Sequence, residues 1–455
     1  MILKDKDILL VGLGRSSVAA ARLVLREGGR PFISERNESR SLTPWLEDCE
    51  RHGIPVETGG HHSPLFNQAH TIVINPGVPL AAPCLDLPKS KGIPIMGELE
   101  LASRFNRSKI IAVTGTNGKT TATSLLQAII NECGYSVALA GNTHTAWSEV
   151  MLREKQPDYT VLEVSSYQLE TVHEFHPHIA VVLNLSADHL ARHGNLENYG
   201  AAKARIFARQ SEGDTLILNR DNAFMNSWPL PEDINTVFFS TEKNRIREGW
   251  YYDDNAFYFK GETKALIQDS PLPGRHNREN TVAMLAVAHS LNLDWEKVIQ
   301  AIRHFSGVEH RLEFVASIDG INYFNDSKST NVDSLRVALE SFTCPVVLIA
   351  GGQGKGDSYE ALFPLMKERV STLIAMGEEA PLLEGIFSTL LPVCRAASME
   401  EALQKARGAA KEGFAVLLSP ACASFDSYAN YEERGRHFKA CVKLFQSEDC
   451  GQEDK

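Results

Sequence analysis

The sequence predicts an α/β protein built on parallel sheets, and three observations carry that prediction. Short apolar runs alternate with stretches of three- and four-residue apolar spacing almost to the end of the chain. Glycine-bearing turns stand between such a run and a helical stretch at Gly12–Ser17 and again at Gly115–Thr120. Polar residues gather just behind the apolar runs, where ligands meet the carboxyl ends of parallel strands.

The runs divide into three blocks. In the first, the strand Ile8–Val11 leads into a helical stretch with Val18, Leu23, Val24 and Leu25. Glu35 falls on the next strand, Ile72–Ile74 follows, and the helical stretch Glu98-Leu99-Glu100-Leu101-Ala102 closes the block near Arg104. The second block opens with Ile110–Val113 and adds Val161–Val164, Ile179–Leu183 and Leu216–Leu218 before ending near Gly307. Its segment Pro229–Ser270 is aromatic and polar with turn signals such as Asp253-Asp254-Asn255, and reads as short antiparallel strands. The third begins at Val308 and holds Val346–Ile349, Leu373–Ala375 and Ala415–Leu418. The 455 residues suit three domains of roughly 150 residues each, with expected bounds 1–104, 105–307 and 308–455.

Composition narrows the class. There are 46 basic and 57 acidic residues, a formal net charge of −11. That balance speaks against coating nucleic acid or anionic membrane through bulk charge. The apolar runs are too short to span a bilayer, and charge in Lys4-Asp5-Lys6-Asp7 interrupts any signal-peptide core. Eight scattered cysteines without a CxxC pair fit a reducing cytosol. No coiled-coil seam is visible, so a monomer is expected.

The chemistry concentrates at strand ends. Residues 110–121 run from an apolar strand through Gly115-Thr116-Asn117-Gly118-Lys119-Thr120-Thr121 into a helix with Leu125, Leu126, Ile129, Ile130 and Cys133 on one face. Such a turn aims peptide N–H groups and a helix N-terminus at a polyphosphate. Lys119 would reach the β/γ-phosphates of a nucleotide and Thr120 would ligate Mg²⁺. Val113 replaces the first glycine of the full GxxxxGK[ST] pattern. Asn142, Glu163, Asn184, Asp188 and His189 also follow apolar runs and could converge on this loop. Glu163 reads either as a Mg²⁺ ligand or as a helix cap, since a carboxylate in an apolar strand needs a partner. Lys203, on an expected helix, reads from its residues alone as an ordinary solvated lysine. The histidines His173, His176 and His178 flank Pro177 and read as a surface connection, as do His61 and His62. At the N-terminus Gly12-Leu13-Gly14-Arg15-Ser16-Ser17 approaches a dinucleotide fingerprint, but Ser17 replaces its third glycine, which argues against NAD.

Taken together, the segments resemble the Mur ligases, ATP-dependent amide-forming enzymes of peptidoglycan synthesis. The resemblance is carried by Thr114-Gly-Thr-Asn-Gly-Lys-Thr-Thr121, Glu163-Val-Ser-Ser-Tyr-Gln-Leu-Glu170, Asn184-Leu-Ser-Ala-Asp-His189 and Ala202-Lys-Ala-Arg-Ile206. It continues through Gly274-Arg-His-Asn-Arg-Glu-Asn280, Glu309-His-Arg-Leu-Glu313, Asn325-Asp-Ser-Lys-Ser-Thr-Asn331, Gly351-Gly-Gln-Gly-Lys-Gly356 and Leu418-Ser-Pro-Ala-Cys-Ala-Ser-Phe-Asp426. Three of these look most like the branch that adds D-glutamate to UDP-N-acetylmuramoyl-L-alanine.

The resemblance implies a Rossmann-like N-terminal domain, a central P-loop ATPase-like domain and a Rossmann-like C-terminal domain. It implies two Mg²⁺ ions, held by Thr120, Glu163, His189 and Lys203 as a carbamate, with Lys119, Glu163, His189 and Lys203 catalytic. ATP would also meet His276, Asn277, Asn280, Arg311, Asp326 and Lys328, the last three closing over the nucleotide. The UDP-sugar would lie on Gly14, Arg15, Ser16, Ser17, Glu35, Arg36, Asn75, Gly77, Val78, Asn142 and His189. D-glutamate would be gripped by Lys328, Thr330, Lys355, Ser424 and Phe425.

Overall fold

The computed structural model describes residues 2–39, 42–186, 188–242, 246, 248–272, 274–354, 356 and 358–450. These form three sheets in two compact units, Met1–Ser270 with Glu279–Arg303, and Pro271–Arg278 with His304–Lys455.

The first unit holds two sheets. Strands β1 (Asp7–Val11), β2 (Arg30–Ser34), β3 (Val56–Glu57), β4 (Thr71–Ile74) and β5 (Ile95–Gly97) pair in parallel in the order β3-β2-β1-β4-β5. Both faces are covered, so β1 is apolar throughout its buried length, and β4 is apolar and buried from Ile72 to Ile74. The strand order turns back at β1, which opens a crevice at its carboxyl end. The helix Arg15–Arg26 starts there. It buries Val18, Leu23 and Val24 but leaves Leu25 exposed, off the expected apolar face.

The second sheet contains β6 (Lys109–Thr114), β7 (Val137–Gly141), β8 (Tyr159–Glu163), β9 (Ile179–Val182), β10 (Thr215–Asn219), β11 (Asn235–Ser240), β12 (Trp250–Tyr252), β13 (Ala256–Phe259) and β14 (Glu262–Leu266). Its order is β14-β13-β12-β11-β10-β9-β6-β8-β7. Here β6 lies between β8 and β9, so the loop behind it sits at a switch point. The segment expected to be antiparallel is so only in part. β11 runs parallel to β10, and β12 parallel to β11; only β12–β13 and β13–β14 are antiparallel. β11 continues the parallel sheet before the aromatic hairpins begin.

Polar ties join the layers of the two sheets. Arg22 pairs with Glu149 at 3.0 Å, and Glu98 Oε1 accepts Ser148 N–H at 2.5 Å. The fully buried Glu100 accepts the N–H groups of His173, Glu174 and Phe175 at 2.9–3.1 Å. Within the second sheet's own layer, His176 Nε2 lies 2.5 Å from Asp214, and His178 Nδ1 accepts Ile110 N–H.

The second unit's sheet contains β15 (Glu313–Ile318), β16 (Ile321–Asn325), β17 (Val346–Gly351), β18 (Val370–Met376), β19 (Val393–Ala396) and β20 (Ala415–Leu418). Its order is β15-β16-β20-β17-β18-β19, parallel except for the β15–β16 hairpin. Asp319 and Gly320, both at positive φ, make that tight turn. Val347, Ile349, Val416 and Leu418 are fully buried on one face, against Phe438 and Val442 of the helix Tyr431–Cys450.

Candidate active site

The turn Gly115–Gly118 links β6 to the helix Lys119–Glu132. Gly118 has φ +84, and a Cβ there would lie 2.3 Å from Asn280 Oδ1, so only glycine fits. The loop is held from the next strand end. Thr116 N–H donates to Asn184 O at 3.1 Å, and Asn117 N–H to Asn184 Oδ1 at 2.9 Å. Lys119 Nζ donates to the carbonyls of Gly115 and Thr116, both at 2.8 Å. Asn280 is buried beside the loop, and among the described residues its Nδ2 has no hydrogen-bond partner, a donor suited to an anionic ligand.

Glu163, 1% exposed, ends β8. Asn142 Nδ2 donates to it at 3.0 Å, Thr143 Oγ1 at 2.7 Å, and His144 Nε2 lies 3.3 Å away. Burial pushes this carboxyl up, but hydrogen bonds from His144, Asn142, Thr143 and Thr120 together pull it down to about 2. It is therefore an ionised carboxylate held by side chains that include no lysine or arginine, which fits a divalent cation. Gly141 permits this approach: at φ +105, its Cβ would lie 2.2 Å from Glu163 O. Thr120 Oγ1 stands 3.5 Å from Thr143 Oγ1, joining the helix start to the same cluster.

Lys203 is 1% exposed on the helix Leu196–Ala204, contrary to its reading as a solvated side chain. Its Nζ donates to Gly115 O at 2.8 Å and lies 4.6 Å from the Tyr199 ring centroid, one helical turn back. Burial, followed by the nearby Lys119 charge, lowers it to about 6. His189 is half-exposed at φ +53, its ring 5.0 Å from that of Tyr167 and 6.3 Å from that of Tyr199.

Between the two sheets of the first unit lies a cleft of about 130 Å³ lined by Arg15, Ser16, Pro76, Glu98, Gly141, Asn142, Ala146 and Gln168. Arg15 Nη2 reaches Asn142 O at 3.5 Å across it. Asn75 Nδ2 donates to Ser16 and Ser17 Oγ, both at 3.2 Å, and its Oδ1 accepts Gly77 N–H at 3.1 Å. Gly14 caps the helix that starts at Arg15, and Val78 N–H donates to Asn75 O. Glu35 falls one residue beyond β2 rather than on it. Its carboxylate accepts the N–H of Leu13 at 2.7 Å and of Asn37 at 2.8 Å, so it shapes the glycine turn. Arg36 is exposed.

The second unit carries the remaining candidates. Asp326, 2% exposed, accepts from Ser329 Oγ at 2.5 Å, Ser419 Oγ at 2.8 Å and Leu312 N–H at 3.1 Å; burial pushes it up to about 6. Lys328 Nζ stands 6.0 Å from the Tyr431 ring centroid. Thr330 is half-buried, Ser424 buried, and Phe425 exposed. Lys355 lies outside the described residues. Burial, then the Arg311 charge, lowers His276; Asn277 is buried and Arg311 exposed. A buried Arg434 joins two loops. It donates to Ser327 Oγ and O, both at 3.0 Å, and to the carbonyls of Cys422 at 3.1 Å and Ala423 at 3.2 Å.

Sequence reasoning missed several of these neighbours. Thr143 and His144 directly follow Gly141-Asn142, a strand-end signal that could have found them. Tyr199 could have been paired with Lys203 by its four-residue spacing. Arg434 shows no local signal.

Three family descriptions match in series: the Mur ligase MurD-like N-terminal domain at residues 6–97, the Mur ligase middle domain at 113–288, and the Mur ligase glutamate ligase domain at 310–422. The UDP-N-acetylmuramoylalanine–D-glutamate ligase of Acidobacterium capsulatum is 41% identical over 448 residues, 97% of each chain. The chain belongs to the Mur ligase family. The enzyme of the same name from Pelodictyon phaeoclathratiforme is 40% identical, covering 98% of this chain and all of that one. Among solved Mur ligase structures, UDP-N-acetylmuramate–alanine ligase of Thermotoga maritima shares the fold at TM-score 0.59 and 18% identity, over 97% of this chain and 100% of that one. The MurF ligase of the same organism, solved with ADP, gives TM-score 0.57 at 16% identity, over 91% of this chain and 95% of that one.

Proposed function

We propose that this Mur ligase joins D-glutamate to UDP-N-acetylmuramoyl-L-alanine at the expense of ATP, through an acyl phosphate. The observation that carries the site assignment is the placement of Glu163 and Lys203 around the Gly115–Thr120 loop, the carboxylate buried and joined to Thr120 through Thr143, and the lysine buried with its Nζ on Gly115 O.

The loop N–H groups and Lys119 bind the ATP phosphates. Lys119 exchanges its carbonyl partners for phosphate oxygens as it does so. A neutral Lys203 Nζ attacks CO₂ and loses a proton, giving a carbamate. Thr120, Glu163, His189 and that carbamate would hold two Mg²⁺ ions, which when bound would supply the positive charge that lets two anions meet. Arg15, Ser16, Asn142 and the start of the helix Arg15–Arg26 hold the UDP-sugar in the cleft, with its terminal carboxylate toward the phosphate loop. Phosphoryl transfer to that carboxylate makes it an electrophile. The neutral amine of D-glutamate attacks it, and the tetrahedral adduct expels phosphate. Asn280, His276, Asn277, Arg311 and Asp326 serve the nucleotide, and Lys328, Thr330, Lys355, Ser424 and Phe425 the amino acid. In this reading residues 1–104, 105–307 and 308–455 divide the work by substrate.

A monomer in the cytoplasm suits these substrates; among the described residues, no helix is long and apolar enough to cross a membrane. The test is phosphate release with ATP and Mg²⁺ across UDP-muramoyl acceptors paired with L-alanine, D-glutamate, meso-diaminopimelate or L-lysine. Turnover is expected only with UDP-N-acetylmuramoyl-L-alanine and D-glutamate, and preference for another pair overturns the assignment.

A further inference from the structure

Away from this chemistry, the helices Met399–Ala409 and Tyr431–Cys450 of the second unit bring together three side chains of metal-binding type. His437 and Cys441 are four residues apart, one above the other on one helix face. Glu400 reaches them from the first turn of the other helix. One donor atom from each lies within 4.8 Å of the other two, and Glu400 Oε1 is 2.9 Å from His437 Nε2. We propose that Glu400, His437 and Cys441 form a zinc site that pins these two helices together.

The donor set argues for the ion. A carboxylate, a thiolate and a neutral imidazole carry two negative charges, matching a dication. A thiolate favours zinc over magnesium or calcium. Tetrahedral bonds of about 2.0–2.3 Å place ligand atoms about 3.5 Å apart. The side chain of Glu400 is 54% exposed and can turn to complete that spacing. The histidine is also oriented from behind: Tyr428 OH lies 2.9 Å from His437 Nδ1. With Nδ1–H donating to the phenol oxygen, the Nε2 lone pair faces the cluster, as in the outer-shell support of metal-bound imidazoles. The Cys441 sulfur is buried beside Phe438 and Val442, has no disulfide partner among the described residues, and is shielded from oxidation. Exposure on the Glu400 side leaves the fourth position to water.

The site bears on the neighbouring loop. Tyr428 N–H donates to Ser424 O at 2.8 Å, so an ion that fixes His437 also steadies the Ser424–Tyr428 turn.

Full-length protein stripped with a chelator should be titrated with Co²⁺ and then Zn²⁺. One equivalent of Co²⁺ is expected to give a thiolate-to-cobalt charge-transfer band, which Zn²⁺ then removes. The residues proposed to hold Mg²⁺ include no cysteine and cannot produce that band. Cys441→Ser should abolish it with the other seven cysteines intact. In competition with a chromophoric chelator, zinc affinity should fall by more than the roughly 10–100-fold seen on losing an outer-shell partner in His437→Gln and Glu400→Gln. Absence of the band in wild type, or its survival in Cys441→Ser, overturns the site. If Cys441→Ser fails to fold, the exposed Glu400→Gln decides: unchanged zinc affinity reduces the cluster to a Glu400–His437 ion pair.

Discussion

Replacing Lys203 with methionine should make the folded chain more stable while it stops turnover. The lysine is held at about 6 against an ordinary 10.5. Between those values the unfolded chain binds a proton there that the folded chain does not. At pH 7 this difference costs the wild type about 5 kcal/mol of stability. Methionine has a similar shape and no charge to desolvate. It gives up the hydrogen bond to Gly115 O, about 1 kcal/mol, so a gain of a few kcal/mol remains. Because the unfolded state carries the extra proton, wild-type stability rises with pH by up to about 1.4 kcal/mol per unit relative to the variant. The advantage of methionine should therefore narrow from pH 7 to pH 9. Urea unfolding followed by tryptophan fluorescence in CO₂-free buffer measures both quantities. A variant less stable than wild type at pH 7, by an amount that does not change with pH, would mean the folded lysine is charged. The carbamate reading would fall with it. With bicarbonate present, intact-protein mass spectrometry should add one CO₂ to the wild type and none to Lys203→Met, and a short carboxylic acid should partly restore turnover to Lys203→Ala.

Lys119→Ala should lower ATP-dependent phosphate release by at least about 10²-fold with an unchanged circular dichroism spectrum; near-normal release would remove the loop from the mechanism. Gly141→Ala places a methyl group against Glu163 O at a positive φ, and thermal unfolding should show a loss of at least about 2 kcal/mol. Asp326 is held at about 6 against an ordinary 3.8, so the folded chain keeps a proton that the unfolded chain has lost between those values. Wild-type stability should therefore fall by about 2 kcal/mol from pH 4 to pH 6, and Asp326→Asn should flatten that slope in urea titrations. A bulky residue at Gly14 should raise the KM for the UDP-sugar more than that for ATP, and the opposite ranking in steady-state kinetics would move the UDP-sugar out of the cleft.

Local signals explain what could be read from the sequence. The β6 turn and its helix are contiguous, so apolar spacing and glycine placement define them without tertiary knowledge. Ala415–Leu418 is buried on both faces and matches its apolar run residue for residue. Lys203 differs, because its buried Nζ is received by Gly115 O, 88 positions away, and nothing on its own helix announces it. Only the whole series of segments made it a candidate. The β11 strand was misread because its aromatic composition resembles the hairpins that follow, whereas its pairing is decided by β10. The β15–β16 hairpin was overlooked although Asp319-Gly320 advertises it.

The Arg434 clamp has a consequence for how amino-acid preference can change. Three of its four bonds go to main-chain carbonyls, at Ser327, Cys422 and Ala423. The guanidinium therefore reads the path of two loops and almost none of their side-chain identity. Residues 328 and 424 can be exchanged for others while the peptide frame beneath them stays in place. Lysine at 434 would concentrate its donors at one point and could not span both loops with a planar fork. Under the proposed amino-acid site, the second unit would separate a fixed scaffold from a replaceable contact surface, an arrangement under which new substrate selectivity could arise by single substitutions without refolding the site.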